Sequence, residues 1–347
     1  NRLLPEPAAG LTNGMVLGIE GGIPKEVNDA FKATGTSHLI VISGSNIAFL
    51  AGALIAALGS VLPKRRAALM AAPLILVYVL LVGADPPALR AGVMGLLGLG
   101  AVFFGRRGTA YVSLSAAGML MLALNPLTLW DIGFQLSFFT SLGLILFSRP
   151  LSSAALAFLR LHLPIETAKR VTRALDSTLI VTVAAQATVL PLILFYFGRL
   201  SPVSLLANVL VLPVQPAILG GGIAALLAGL AWQPLGQAVA AAPWLLLTYT
   251  WRVVETTAAI PFASVDVGRV GPAFVIGYYA LLIVAYRLPR IAGQLKRNPD
   301  MRRAGAMTAM VVVPVCLTFF AWRAQPDGRL HLVYVAGTNG EAAVIVA

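Results

Sequence analysis

The residues able to do chemistry fall in four short polar strings set inside apolar sequence. The first is Thr34-Gly-Thr-Ser-His38, followed shortly by Ser43, Gly44, Ser45 and Asn46. Small and polar residues in succession bring backbones close, or break a helix to offer free amides. The second is Asp85-Pro-Pro with Arg90 five residues after the aspartate. Asp85 suits a helix N-cap and the two prolines suit a first turn. Arg90 has no such local reason. It either snorkels to an interface or faces a wet path where a fixed cation attracts anions. The third is Asn125-Pro, then Asp131, Gln135 and Ser137. Asp131 is again a candidate N-cap, while Gln135, one turn on, bonds a neighbouring helix or lines a cavity. The fourth runs through Gln186, Tyr196, Arg199, Ser201, Ser204, Asn208 and Gln215. Asn208 and Gln215 share one helical face, a spacing that also serves to glue helices together.

Conventional catalysis finds little support. The three histidines are far apart in sequence, Cys316 is the single cysteine, and no HExxH string occurs, so neither a disulfide nor a zinc site is expected. No Gly-x-Ser-x-Gly elbow occurs either. A pairing of Ser43 or Ser45 with His38 is the remaining nucleophile arrangement. No cofactor is implied.

The chain that must position these groups has 347 residues, 59% hydrophobic and only 11% charged, with a mean hydropathy of +0.87. A soluble domain carries about 25% charge, so a soluble globular enzyme and a disordered chain are both excluded. Apolar runs recur at 37–62, 67–82, 87–104, 109–124, 131–148, 174–197, 201–231, 235–260, 272–287 and 305–322. A span takes about 20 residues as a helix. The expected fold is therefore an all-α polytopic membrane protein of about ten transmembrane helices. Pro213 and Pro216 predict that the 201–231 run is kinked, broken or re-entrant. Residues 150–173 read as an interfacial segment, Leu11 to Glu20 as a weakly amphipathic stretch, and Val27 to Thr34 as a short surface helix.

The net charge of +12 has a positional explanation. Lys64, Arg65, Arg66, Arg106, Arg107, Arg149, Arg160, Lys169, Arg170, Arg173, Arg287, Arg290, Lys296, Arg297, Arg302 and Arg303 all fall on one side when the runs are taken as successive spans. The opposite connections hold only Arg199 and Arg269. By the positive-inside rule the first side is cytoplasmic, and residues 1–36 and 323–347 lie outside. In the same reading the first three strings lie near the outer ends of their spans, as expected of a path opening outward. After Arg323 the sequence turns strand-like, with Gly337 to Gly340 as a turn, like the first hairpin of a soluble domain.

Four stretches carry a resemblance to a known family: Phe31 to Gly44, Pro86-Pro-Ala-Leu-Arg90-Ala, Asn125-Pro-Leu-Thr-Leu-Trp-Asp131-Ile-Gly-Phe-Gln135-Leu-Ser137-Phe, and Phe197-Gly-Arg-Leu-Ser201 with Leu206-Ala-Asn208. In order and spacing the sequence resembles the ComEC family of competence proteins, inner-membrane channels for imported DNA. The resemblance implies a channel passing single-stranded DNA across the cytoplasmic membrane during natural transformation. It also implies a DNA receptor outside and a DNA-dependent ATPase inside as partners, with the lipid bilayer as solvent. The domains expected are an extracytoplasmic lead-in over 1–36, a transmembrane channel over 37–322, and the start of a metallo-β-lactamase-like domain over 323–347. Where the family often reads Ser-Gly-Leu-His, this chain has Ser43-Gly-Ser-Asn46, so no second histidine stands there. Where members usually read Asp-Val-Gly-Gln-Gly-Asp, it has Ala336-Gly-Thr-Asn-Gly-Glu341. The path candidates are His38, Ser43, Gly44, Ser45, Asn46, Asp85, Arg90, Asp131, Gln135, Ser137, Gln186, Arg199 and Asn208. An ion-coupled secondary transporter of a small anion, served by the broken 201–231 run, and an intramembrane serine hydrolase stand as alternatives.

Overall fold

The computed structural model describes residues 4–19, 21–40, 44–83, 86–104, 109–295, 332–336 and 342–346. Ser43, Asp85, Arg106, Arg107, Lys296, Arg297, Arg302, Arg303, the 305–322 run and the 337–340 turn lie outside these residues.

The described chain is almost wholly helical. A short helix α1 (Ala8–Thr12) runs into a π-helical turn, Asn13–Leu17, and is followed by α2 (Lys25–Ala33) and a 3₁₀ turn, Ser37–Leu39. Five helices come next: α3 (Gly44–Gly59), α4 (Lys64–Leu81), α5 (Pro86–Phe103), α6 (Ala110–Leu124) and, after a 3₁₀ turn, α7 (Ile132–Leu159). Helix α8 (Ile165–Leu175) leads through a second π-helical turn, Asp176–Ile180, into α9 (Val181–Phe197). The rest is α10 (Ser204–Val211), α11 (Gln215–Ala231), α12 (Gln233–Ala258) and α13 (Pro272–Leu295).

Three apolar clusters hold these helices. Leu11, Met15, Val27 and Phe31 pack with Val211, Ile218, Leu247 and Val254, which docks α1 and α2 onto α10–α12. Ile47, Ala68, Ala71, Ile75, Val79 and Leu99 join α3, α4 and α5. Phe147, Leu151, Ile180, Ala184, Tyr278 and Leu282 join α7, α9 and α13. The stretch from Val27 is therefore no free surface helix. Its i, i+4 pair Val27 and Phe31 is buried, because α12 offers an apolar face opposite that stripe.

Pro150 does not end its helix: α7 continues to Leu159. Buried Phe147, Leu151 and Ala154 flank the proline and hold both halves of the helix in place, which offsets the one lost backbone bond. The first ten residues of the 150–173 segment therefore belong to α7, and α8 begins only at Ile165. In the 201–231 run a 3₁₀ turn, Leu212–Val214, separates α10 from α11, at the position where Pro213 cannot donate to the helical ladder. The glycines that follow let neighbours close in. A β-carbon on Gly221 would meet Pro243 of α12 at 3.2 Å, and one on Gly222 would meet Val16 at 3.1 Å.

Strands are minor. β1 (Arg199–Leu200) pairs antiparallel with β2 (Val265–Asp266), Arg199 facing Asp266. Near the C-terminus β3 (Leu332–Ala336) pairs antiparallel with β4 (Ala342–Val346), Leu332 opposite Val346, as the alternating sequence there predicts.

Four stretches among the described residues are helical, long and apolar enough to cross a membrane: Pro86–Phe103, Ile132–Leu159, Thr178–Phe197 and Ser204–Ala231. Ala8–Leu17, Asn46–Gly59, Ala110–Leu124 and Pro272–Arg287 are apolar but shorter. Helix α4 carries Lys64, Arg65 and Arg66 in its first turn, yet beyond them its Leu69, Leu74, Val77, Leu80 and Leu81 are all exposed. An outward apolar surface of that kind fits lipid, not water.

Candidate functional site

The turn between α6 and α7 is built by two successive caps. The Asn125 side chain accepts a hydrogen bond from the Leu127 backbone N–H (3.0 Å) and opens the 3₁₀ turn Pro126–Trp130. Asp131 then caps α7, accepting from the Phe134 N–H at 2.6 Å. These caps satisfy amides that a helix start leaves orphaned. They also fix the register of α7, so that Gln135 and Ser137 are presented at set heights.

Arg90 is the centre of the site. It is buried, only 7% exposed. Its Nε donates to Ser137 Oγ at 2.9 Å, and Nη1 donates to Ser141 Oγ and contacts Met94 Sδ at 3.5 Å. Nη2 lies against the first residue of α3: a β-carbon on Gly44 would sit 2.7 Å from it. Strings one, two and three thus meet at one guanidinium, with α3, α5 and α7 each supplying a wall. Ser141 was not among the residues singled out by sequence. Its signal was there, because it stands four residues after Ser137 and so on the same helical face.

The charge balance is unusual. Among the described residues no carboxylate lies within salt-bridge distance of Arg90; the ion pairs present are Lys32–Asp29, Lys169–Glu166, Arg199–Asp266 and Arg252–Glu255. Burying a cation costs several kcal/mol even after relaxation, roughly, and the two serine hydroxyls carry no charge to offset it. The N-terminus of α3 adds positive potential from aligned peptide dipoles. The surroundings of Arg90 are therefore electropositive.

Most of the remaining candidates make separate contacts between helices and turns. Gln135 is exposed to two partners: its Nε2 donates to Leu129 O at 2.8 Å, and its Oε1 accepts from Tyr196 Oη at 2.7 Å. Tyr196 thereby ties α9 to the capped start of α7. Replacing Tyr196 with Phe is expected to cost about 0.6 kcal/mol, the usual worth of an interhelical bond in a membrane, read as a small fall in the thermal midpoint in detergent.

Gln186 Nε2 donates to Ser204 Oγ at 2.8 Å, joining α9 to α10. Gly35, at φ +66°, brings the end of α2 onto the same place, where a β-carbon would lie 3.0 Å from Cβ of Ser204. Thr34 and Thr36 on either side are fully buried and share a hydroxyl–hydroxyl bond of 2.7 Å. Asn208, 4% exposed, is one turn further along α10, and among the described residues its Oδ1 has no hydrogen-bond partner; nor does the buried Gln215 Nε2. Asn46 Nδ2 donates to Met15 O at 3.2 Å, holding α3 to the π-helical turn.

Arg199 stands apart. Arg199 is at an exposed strand end, 3.8 Å from Asp266 with both side chains largely in solvent, a pair of little energetic weight. His38 lies in its 3₁₀ turn, hydrogen-bonded to the backbone of Gly35. Ser45 is the second residue of α3. Among the described residues no group of three His, Cys, Asp or Glu comes together to hold a metal ion.

Membrane-length apolar helices around a buried arginine define a class: a helical membrane-type protein with a cation in its interior. The chain belongs to the competence-protein family, whose model matches residues 15–291. It is similar to ComE operon protein 3 of Bacillus subtilis (strain 168), with 26% identity over 286 residues, covering 82% of this chain and 35% of that protein. The chain thus spans about a third of that relative's length. No solved structure matches it.

Proposed function

We propose that this chain is the membrane-spanning part of a DNA-uptake channel that passes single-stranded DNA across the cytoplasmic membrane during natural transformation. About ten helices cross the bilayer in this reading, with residues 1–36 and 323–347 outside and 37–322 forming the conduit. Arg90 contacts the phosphates as they pass. Gly44 keeps the α3 backbone close to the strand, and Gln135, Gln186 and Asn208 hydrate it along the way.

The observation that carries this reading is Arg90 itself: buried, held by Ser137 and Ser141, set at the first residue of α3, and lacking a carboxylate among the described residues. Such a site favours a mobile anion over an internal partner. One sparse cation suits transit, because a dense positive lining would hold a polyanion instead of releasing it.

The test is entry of a labelled single-stranded oligonucleotide into vesicles holding the purified chain, beside a labelled small anion. Entry of the oligonucleotide supports the channel. Entry of the small anion alone makes the chain a transporter, a reading that the break between α10 and α11 also serves.

A further inference from the structure

The corner between α7 and α9 ends two membrane-length helices that pack on each other, so the short connection between them has no route away from the bilayer surface. Helix α8 lies within that connection and turns its Ala168 and Thr172 inward, both buried. Lys169, Arg170 and Arg173 are exposed and fall within about 100° of one another around the helix. Arg160 is exposed just before it.

Apolar side chains accompany the bases. Phe158 is 58% exposed, Leu161 77% and Ile165 45%. Facing water, that surface would be a liability. At an interface it is an anchor, with apolar groups entering the acyl boundary and bases reaching headgroup phosphates. A nucleic-acid strand fits less well, since Leu161 and Ile165 have no ring for a base to stack on. The one aromatic side chain among these three, Phe158, already meets His162 edge-on at 5.3 Å.

The acid on this helix is Glu166, which accepts from Lys169 Nζ at 2.8 Å; the hydrogen bond and charge of Lys169 hold its carboxyl below the usual range. Among the described residues Arg170 and Arg173 have no carboxylate within salt-bridge distance.

We propose that the corner formed by the end of α7 and by α8 is a binding site for anionic phospholipid headgroups, with Arg160, Arg170 and Arg173 as the phosphate contacts and Phe158, Leu161 and Ile165 as the acyl-side anchor. The experiment is native mass spectrometry of the purified chain in mixed phosphatidylglycerol and phosphatidylcholine micelles, reading the ratio of the two lipids retained. Wild type is expected to retain phosphatidylglycerol preferentially. The variant R160Q/R170Q/R173Q is expected to lose that preference by on the order of tenfold or more, and Arg170→Gln alone by a few-fold, about the worth of one surface charge.

Glu166→Gln should move the other way, raising the preference, because it frees Lys169 and removes a repelling charge; damage to the fold would not raise it. A preference that survives the triple variant, or that is abolished equally by K64Q/R65Q/R66Q at the start of α4, overturns the proposal. So does a labelled single-stranded oligonucleotide that is retained in neutral detergent and lost with the triple variant while the lipid ratio stays unchanged. That result would assign the corner to nucleic acid.

Discussion

On the proposed channel reading, replacing Arg90 with Met is expected to lower transformation roughly tenfold to a hundredfold, the worth of one charge-assisted hydrogen bond to a phosphate. Methionine keeps most of the side-chain volume, so the packing among α3, α5 and α7 survives. Folding should not suffer either. The wild-type chain carries the desolvation cost of a buried cation, and the substitution removes it. Protein level in the membrane should therefore stay near normal, and that separation of uptake from abundance is the informative result.

Arg90→Lys keeps the charge but loses the fork that reaches Ser137 and Ser141 together, so an intermediate value is expected. The double variant S137A/S141A leaves the guanidinium charged but unheld and should fall between Lys and Met. Transformation at wild-type frequency in Arg90→Met, with normal protein level, would remove Arg90 from the mechanism.

The second large effect is structural. Helices α7 and α9 cross at Gly143, where a β-carbon would lie 2.5 Å from the backbone oxygen of Ala184 and would also collide with Thr188 Oγ1. The hydroxyl there is not free to move, because its single hydrogen is held between Phe139 O at 2.7 Å and Ala185 O at 3.0 Å. Gly143→Leu must therefore push the two helices apart along their shared interface. Overpacking a tight contact costs on the order of 3 kcal/mol, and separating these helices also breaks the Thr188 bond and loosens Tyr278 and Tyr279, which donate to Ala187 O and Thr188 O.

The expected result is little protein in the membrane and, for what remains, a thermal midpoint lowered by several degrees, about 2–4 °C per kcal/mol for a chain beyond 150 residues. Thr188→Val is the matched control. It removes the bond without adding bulk at the crossing and should cost only about 0.6 kcal/mol. A Gly143→Leu chain that accumulates and melts like wild type would mean that the crossing is not this close.

Much of the architecture was legible from residue types. Long apolar runs with charges gathered in the connections require helices, since backbone groups have no other way to be satisfied in hydrocarbon. Asp131 could be read as an N-cap because capping is a local exchange between a side chain and an amide three residues on. Pro213 could be read as a break for the same reason, being a missing donor at a known position. Pro150 shows the limit of such reading: as a residue it argues for a helix end, but the apolar side chains around it favour continuation more strongly.

Residue types and spacing thus set local features: helical class, the caps, the break, and which polar residues sit inside apolar runs. They could not say which of those residues meet. Arg90 and Ser137 are 47 positions apart and Gln135 and Tyr196 are 61 apart, and spacing along one helix carries no information about its neighbour's face. That Gly44, Arg90, Ser137 and Ser141 come together while Arg199 lies away from them beside Asp266 emerged from helix packing alone. The physical reason is that helix partnership is set by shape, by where a glycine lets two backbones approach, and those contacts exist only once separate helices are packed.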